Sequence, residues 1–230
     1  MTSQTFDSFI LKHQIIGFFD EAITLKSGRE SHFYVNWRQA TNDAFLLNQL
    51  TDFIRDFLLQ NNLAFDSLIG VPEGASKTAV ITAMKIAQAS PTFAKGSHII
   101  PMGRAKPKQH GAPQDKYFIG QPKGRTVVLE DTITTGLSLV EFLHSLQSSG
   151  VEVVAALGLT DRMETRDDGR SVAQYVHDEF DGRIQYLTMS DATKLLPQAI
   201  RSEQPSDGVV SALLQEFERY GVKPLDLEAL

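Results

Sequence analysis

The sequence predicts an α/β protein built on a parallel sheet with helices packed against it. Continuous apolar runs at Ser67–Val71, Thr126–Leu129 and Val151–Leu159 read as strands covered on both faces. Small turns join these runs to amphipathic segments of helical length, so strands alternate with helices along the chain.

Composition sets the outer bounds. The 230 residues are 42% apolar and 22% charged, as expected of one large globular domain or a domain with an appended lobe. A net charge of −6 argues against nucleic acid and anionic membrane as partners. The absence of cysteine excludes disulfides, thiolate metal sites and cysteine nucleophiles, and fits a reducing compartment. Met1–Asp7 lacks the basic and apolar regions of a signal peptide, and no apolar stretch is long enough to span a bilayer. A soluble cytoplasmic protein is expected.

Taken in order, Phe6, Phe9, Ile10 and His13, followed by Ile16, recur at helical spacing and predict a first amphipathic helix. The stretch from Ile23 to Arg38 reads as two short strands joined by the Ser27-Gly28 turn, a hairpin carrying Lys26 and Arg29. Such a hairpin, with aromatics Phe33 and Tyr34 on its second strand, can cap a flat anionic heterocycle. A helix is expected over 43–60, with Phe45, Leu46, Leu50, Phe53, Ile54, Phe57 and Leu58 on its apolar face. The strand at Ser67–Val71 runs through Pro72-Glu73-Gly74 into another helix, offering backbone N–H groups at a sheet edge, with Lys77 one helical turn on.

A strand at His98–Met102 leads into a long exposed loop over Arg104–Lys116, which has two prolines and no apolar periodicity. From Gly103 to Arg125 there are six basic side chains and one acid, Asp115. That charge repels itself unless an anion joins it, which suggests a lid over a polyanionic substrate. Nucleic acid fits less well, since no aromatics interleave with the cations.

The chain is organised around Thr126–Gly136. Its apolar run ends in Glu130-Asp131, then a turn holding Thr132, Ile133, Thr134, Thr135 and Gly136, and a helix from Leu137. Open α/β sheets bind ligands at such strand-to-helix turns. The backbone N–H groups at the helix start suit a phosphate. Glu130 and Asp131 would repel it and instead suit sugar hydroxyls or a hydrated Mg²⁺. Together these describe a site for ribose 5-phosphate. The helix ends at Ser148-Ser149-Gly150, and the strand Val151–Leu159 meets Thr160-Asp161-Arg162-Met163-Glu164 at its carboxyl end. Helices near 169–180 and from Ser190-Asp191, a strand over Ile184–Thr188, and a final amphipathic helix carrying Val209, Val210, Leu213, Leu214 and Phe217 complete the chain.

The Glu130–Gly136 stretch resembles the phosphoribosyl diphosphate signature of type I phosphoribosyltransferases. Leu-Lys-Ser-Gly-Arg-x-Ser-x-x-Tyr-x-Asn, read from Leu25 to Asn36, resembles the N-terminal hairpin of the orotate phosphoribosyltransferases in particular. The loop resembles their mobile catalytic loop, Arg-Lys-x-x-Lys-x-His-Gly, with Arg104, Lys108, His110 and Gly111 matching. Ala105 stands at the second basic position and Lys106 comes one residue late, which leaves open whether Lys106 substitutes. Glu73 departs from the tyrosine or lysine common in the family's diphosphate turn.

The resemblance covers about residues 20–188 and implies one domain, with a small hood mainly from 1–40 plus C-terminal elements, and a core at about 43–188. It implies Mg²⁺-dependent transfer of phosphoribosyl from 5-phosphoribosyl 1-diphosphate to orotate, giving orotidine 5′-monophosphate and diphosphate. Lys108 and His110 would face the leaving group, with Lys26, Arg104 and Lys106 near it. Glu130 and Asp131 would hold the ribose hydroxyls and the metal shell, with Asp131 in the catalytic set. Thr132–Gly136, with Leu137 and Ser138, would bind the 5-phosphate. Arg162, with Thr134 and the hairpin backbone near Phe33 and Tyr34, would receive orotate, the guanidinium fork pairing with its carboxylate. The active unit would be a homodimer sharing the lid. A transferase for another base, or a non-catalytic phosphoribosyl diphosphate sensor, are the rival readings. The carboxylate-seeking Arg162 opposes the first, while Glu73 and Ala105 keep the second in view.

Overall fold

The computed structural model describes residues 5–110 and 116–228. The first helix, α1 (Phe6–Lys12), starts from Thr5, whose hydroxyl accepts from the Ser8 N–H. It stops before Ile16, because Gln14 takes a left-handed conformation and turns the chain back. Ile16 instead opens β1 (Ile16–Thr24), which pairs antiparallel with β2 (Glu30–Val35). The hairpin therefore starts seven residues before Ile23. A shift of register between Phe18 and Ile23, with exposed Asp20 and Glu21, hides its alternation in the sequence.

A short α2 (Arg38–Thr41) leads to α3 (Ala44–Gln60), capped by Asp43. Its buried face includes Leu47, Leu50, Ile54 and Leu58, whereas Phe45 is exposed. Next come β3 (Ser67–Gly70) and α4 (Ser76–Ala89). Gly70 is required there, since a Cβ would meet the Ala75 carbonyl oxygen at 2.3 Å. The strand expected at His98–Met102 is reduced to β4 (Met102–Gly103), paired antiparallel with β5 (Phe118–Ile119). Pro101 has no N–H to give a ladder.

Then follow β6 (Arg125–Ile133), α5 (Leu137–Ser148), β7 (Glu152–Asp161), α6 (Val172–Glu179), β8 (Gln185–Asp191), α7 (Ala192–Glu203) and α8 (Asp207–Tyr220). α6 begins later than the sequence suggests because Ser171 and Gln174 form a reciprocal capping box.

The central sheet is parallel, in the order β3-β6-β7-β8. Val127 and Leu129 of β6 belong to the core shared with α3, α4, α7 and the hairpin. Val128 between them belongs to the core under α5 and α6. Burial on two faces thus explains the continuous apolar run. α8 closes over the hairpin, where Phe217 and Phe33 stack with ring centres 6.2 Å apart, and both lie in the same core as the sheet. No helix among the described residues is long and apolar enough to cross a membrane.

Candidate active site

A cavity of about 310 Å³ opens at the carboxyl end of the sheet, between the β6–α5 turn, the turn after β3 and the hairpin. Glu130 through Leu139 form one wall. The strand does not end at the acidic pair: β6 pairs with β7 through Thr132↔Thr160 and Ile133↔Asp161, so Glu130 and Asp131 project from a strand. Only Thr134–Gly136 form the turn. Gly136 has φ 68° and a Cβ there would lie 2.6 Å from Val172 Cγ1, so the position favours glycine twice over. No side chain caps α5, which leaves its first N–H groups to an anion. Arg166, stacked 3.8 Å over Tyr175, donates to the Thr135 carbonyl and braces the turn from behind.

Lys26 reaches from the hairpin turn across the cavity, where its Nζ donates to Ser138 Oγ at 2.8 Å. Glu130 is buried, and burial pushes its carboxyl well above the usual range. Neighbouring Asp131 raises it further, against a lowering influence from Lys26. Asp131 accepts from the Thr132 N–H at 2.8 Å. Tyr34, Asn36 and Trp37 line the hairpin side, and Glu73 and Gly74 the opposite rim. Asn36 Oδ1 is buried without a donor among the described residues. Asp161, at the end of β7, accepts from Tyr186 Oη and the Met163 N–H, both at 2.7 Å. Burial pushes it up to about 6 despite these bonds.

Arg162 also borders the cavity, yet it is 1% exposed. Its Nε donates to Glu164 at 2.7 Å, Nη1 to the Phe33 carbonyl at 3.1 Å, and Nη2 to Ser31 Oγ at 2.8 Å and Glu216 at 3.0 Å. Arg29 holds the other oxygen of Glu164 at 3.0 Å. These bonds fasten the hairpin and α8 to the end of β7.

No family model matches the sequence. Known proteins do. The chain is 37% identical over 154 residues to an orotate phosphoribosyltransferase of Bradyrhizobium diazoefficiens, covering 64% of this chain and 76% of that protein. The chain belongs to the orotate phosphoribosyltransferases. A second member, from Aeromonas salmonicida, is 27% identical over 224 residues, covering 94% of this chain and 97% of the relative. The fold agrees with the crystal structure of an orotate phosphoribosyltransferase from Francisella tularensis, with a TM-score of 0.68 at 19% identity over 94% of this chain and 98% of that one.

As an orotate phosphoribosyltransferase the chain brings Lys26, Tyr34, Glu130–Ser138 and Arg162 to one cavity. The cations Arg104, Lys106 and Lys108 of the expected lid, with His110, do not border it. Lys106, Lys108 and His110 are exposed. Their segment leaves the β4–β5 base, with Arg104 N–H bonded to the Tyr117 carbonyl and Lys108 N–H to that of Lys116. Gly111 lies outside the described residues. Phe33 does not line the cavity either: its side chain is wholly in the core, and its carbonyl serves Arg162. Lys77 donates to the Thr41 carbonyl at 2.6 Å and is absent from the cavity wall. Sequence reasoning missed Arg166, Tyr186 and Glu216, which act through contacts distant in the chain. Asn36 was legible only as the last residue of the hairpin motif.

Proposed function

We propose that this cavity transfers the phosphoribosyl group of 5-phosphoribosyl 1-diphosphate to N1 of orotate, releasing diphosphate and orotidine 5′-monophosphate. The observation that carries this is the uncapped α5 N-terminus one turn beyond the buried Glu130 and the half-buried Asp131, under Lys26 from the hairpin. An anion donor set and a hydroxyl acceptor set stand side by side, as a sugar phosphate needs.

The N–H groups and hydroxyls of Thr132–Ser138 hold the 5-phosphate and fix the ribose. Glu130 and Asp131 accept from its hydroxyls. Asn36 Oδ1 offers an unused acceptor for a ring N–H or a sugar hydroxyl. Tyr34 and Arg162 orient orotate, with Thr134 at the ribose end. As the bond from C1 to diphosphate breaks, Lys26 and the lid residues Arg104, Lys106, Lys108 and His110 stabilise the charge on the leaving group. Closure of the lid excludes water from the electron-poor ribose. No side chain needs to act as nucleophile.

The residues present fit Mg²⁺. No cluster of three or more His, Cys, Asp or Glu side chains among the described residues is arranged as a metal cage. Two adjacent carboxyls, Glu130 and Asp131, suit a cation that keeps water and substrate oxygens as most of its ligands. When bound, Mg²⁺ would neutralise the diphosphate and weaken its bond to the ribose. The working unit is a homodimer in the cytoplasm, each lid serving the partner's site.

The test follows the ultraviolet absorbance of orotate after adding 5-phosphoribosyl 1-diphosphate and Mg²⁺. Turnover that ceases on chelation supports the reading. Donor binding without turnover would favour a sensor, which Glu73 on the cavity rim permits, and turnover with another base would reassign the acceptor.

A further inference from the structure

A guanidinium has five N–H donors, and four of those on Arg162 are already engaged within the protein. One N–H on Nη1 remains without a partner among the described residues. A bidentate pair with an incoming carboxylate needs two neighbouring N–H groups. The neighbour on the outer edge of the fork is Nη2, which Ser31 and Glu216 occupy. An orotate carboxylate that grips this fork must displace one of them.

Charge points to Glu216. The cluster holds two cations, Arg29 and Arg162, against two buried anions, Glu164 and Glu216. Arg29 also holds the exposed Asp167 at 3.0 Å, so a substrate carboxylate adds a further anion to a set with no spare cation. Glu164 is held from two sides, by Arg162 at 2.7 Å and Arg29 at 3.0 Å. Glu216 has Arg162 as its one cationic partner and keeps other donors on release, Ser31 Oγ at 2.7 Å and the His32 N–H at 3.3 Å. It also borders a second cavity of about 620 Å³ behind the hairpin, which Arg219 lines as well. The carboxylate thus has space to turn into.

We infer that Glu216 of the C-terminal helix sets the affinity for orotate, by holding the Arg162 fork in the free enzyme and competing with the substrate carboxylate for it. The inference rests on Arg162 as the orotate ligand. Burial pushes the Glu216 carboxyl above its ordinary range, which makes its charge easier to give up.

The test is steady-state kinetics with each substrate varied in turn. Glu216→Gln keeps the shape and removes the charge. It should lower KM for orotate roughly tenfold, while KM for the donor stays within about twofold. A merely structural role would raise the orotate KM, so an unchanged or raised value overturns the inference. Ser31→Ala keeps both charges and should leave the orotate KM within about twofold; a fall as large as that of Glu216→Gln would overturn competition by charge. Should Glu216→Gln fail to fold, Glu216→Asp shortens the reach to Arg162 and must also lower the orotate KM. Arg162→Gln separates the two levels. An unchanged orotate KM there removes Arg162 as the ligand and the inference with it. A raised value there, with no fall in the Glu216 variants, overturns the inference alone.

Discussion

Gly74 and Asp131 approach so closely that a methyl group on Gly74 would lie 2.4 Å from Asp131 Oδ2. The turn after β3 therefore packs its backbone against the outer carboxylate of the acidic pair, with no room for a side chain between them. Gly74→Ala must push Asp131 aside. The expected result is a fall in kcat/KM of about 10- to 100-fold from misplacing a ribose-holding group. Gly74 is exposed and outside the helix, so the melting temperature should change little. Full activity in Gly74→Ala would show that the contact does not position Asp131.

Asp161 supplies a prediction in pH. Its carboxyl titrates near 6 in the folded protein against an ordinary 3.8. Well below pH 3.8 both folded and unfolded chains hold the proton, and this site costs no stability. As pH rises, the unfolded chain ionises first, so stability is lost progressively up to and past pH 6. The loss is on the order of 3 kcal/mol. Asp161→Asn keeps acceptor and donor capacity for Tyr186 and the Met163 N–H but cannot ionise. Denaturant unfolding at pH 4.5 and 7.5 should show a smaller loss with pH in the variant. Parallel losses in the two proteins would place the titration elsewhere.

These two residues also show where the sequence was readable. Val127-Val128-Leu129 announced β6 because both faces of the strand meet apolar cores. The same strand continues through Glu130 to Ile133, and β7 and β8 continue to Asp161 and Asp191. There the ladders persist while the side chains turn polar, towards the site in β6 and towards capping and hydrogen-bond partners in β7 and β8. Hydropathy alone therefore stops each strand too soon. β1 was hidden similarly, by a register shift amid exposed charges. The candidate site was legible where it is contiguous, at Glu130–Ser138. Gly74 against Asp131, Tyr186 on Asp161 and Glu216 on Arg162 arise from tertiary packing. No local spacing encodes the last of these, which joins residues 54 apart.

Glu73 sits on the rim of the cavity beside Gly74, where the polyanionic donor would enter. A carboxylate there repels the diphosphate, and a lysine would attract it. Glu73→Lys should lower KM for 5-phosphoribosyl 1-diphosphate by roughly 3- to 10-fold at low salt, with the gain shrinking as ionic strength rises. The orotate KM should not follow. A donor KM indifferent to this reversal of charge would mean that the Glu73 side chain points away from the bound donor.

Lys108 lies on the arm raised by β4 and β5, exposed and clear of the cavity wall. It contributes nothing to the floor that receives the substrates, so its removal should leave ground-state binding nearly intact. If the arm closes during turnover, the ammonium meets the diphosphate as negative charge develops there, and that contact is strongest in the transition state. Lys108→Ala should therefore lower kcat by about 100-fold or more, with the donor KM within roughly threefold of wild type. Lys106→Ala is the companion measurement, because Ala105 removes the cation expected one residue earlier. A comparable loss of kcat in Lys106→Ala would show that Lys106 has taken over that position. A rise in donor KM alone, in either variant, would make the lid a binding element and remove its cations from the chemical step.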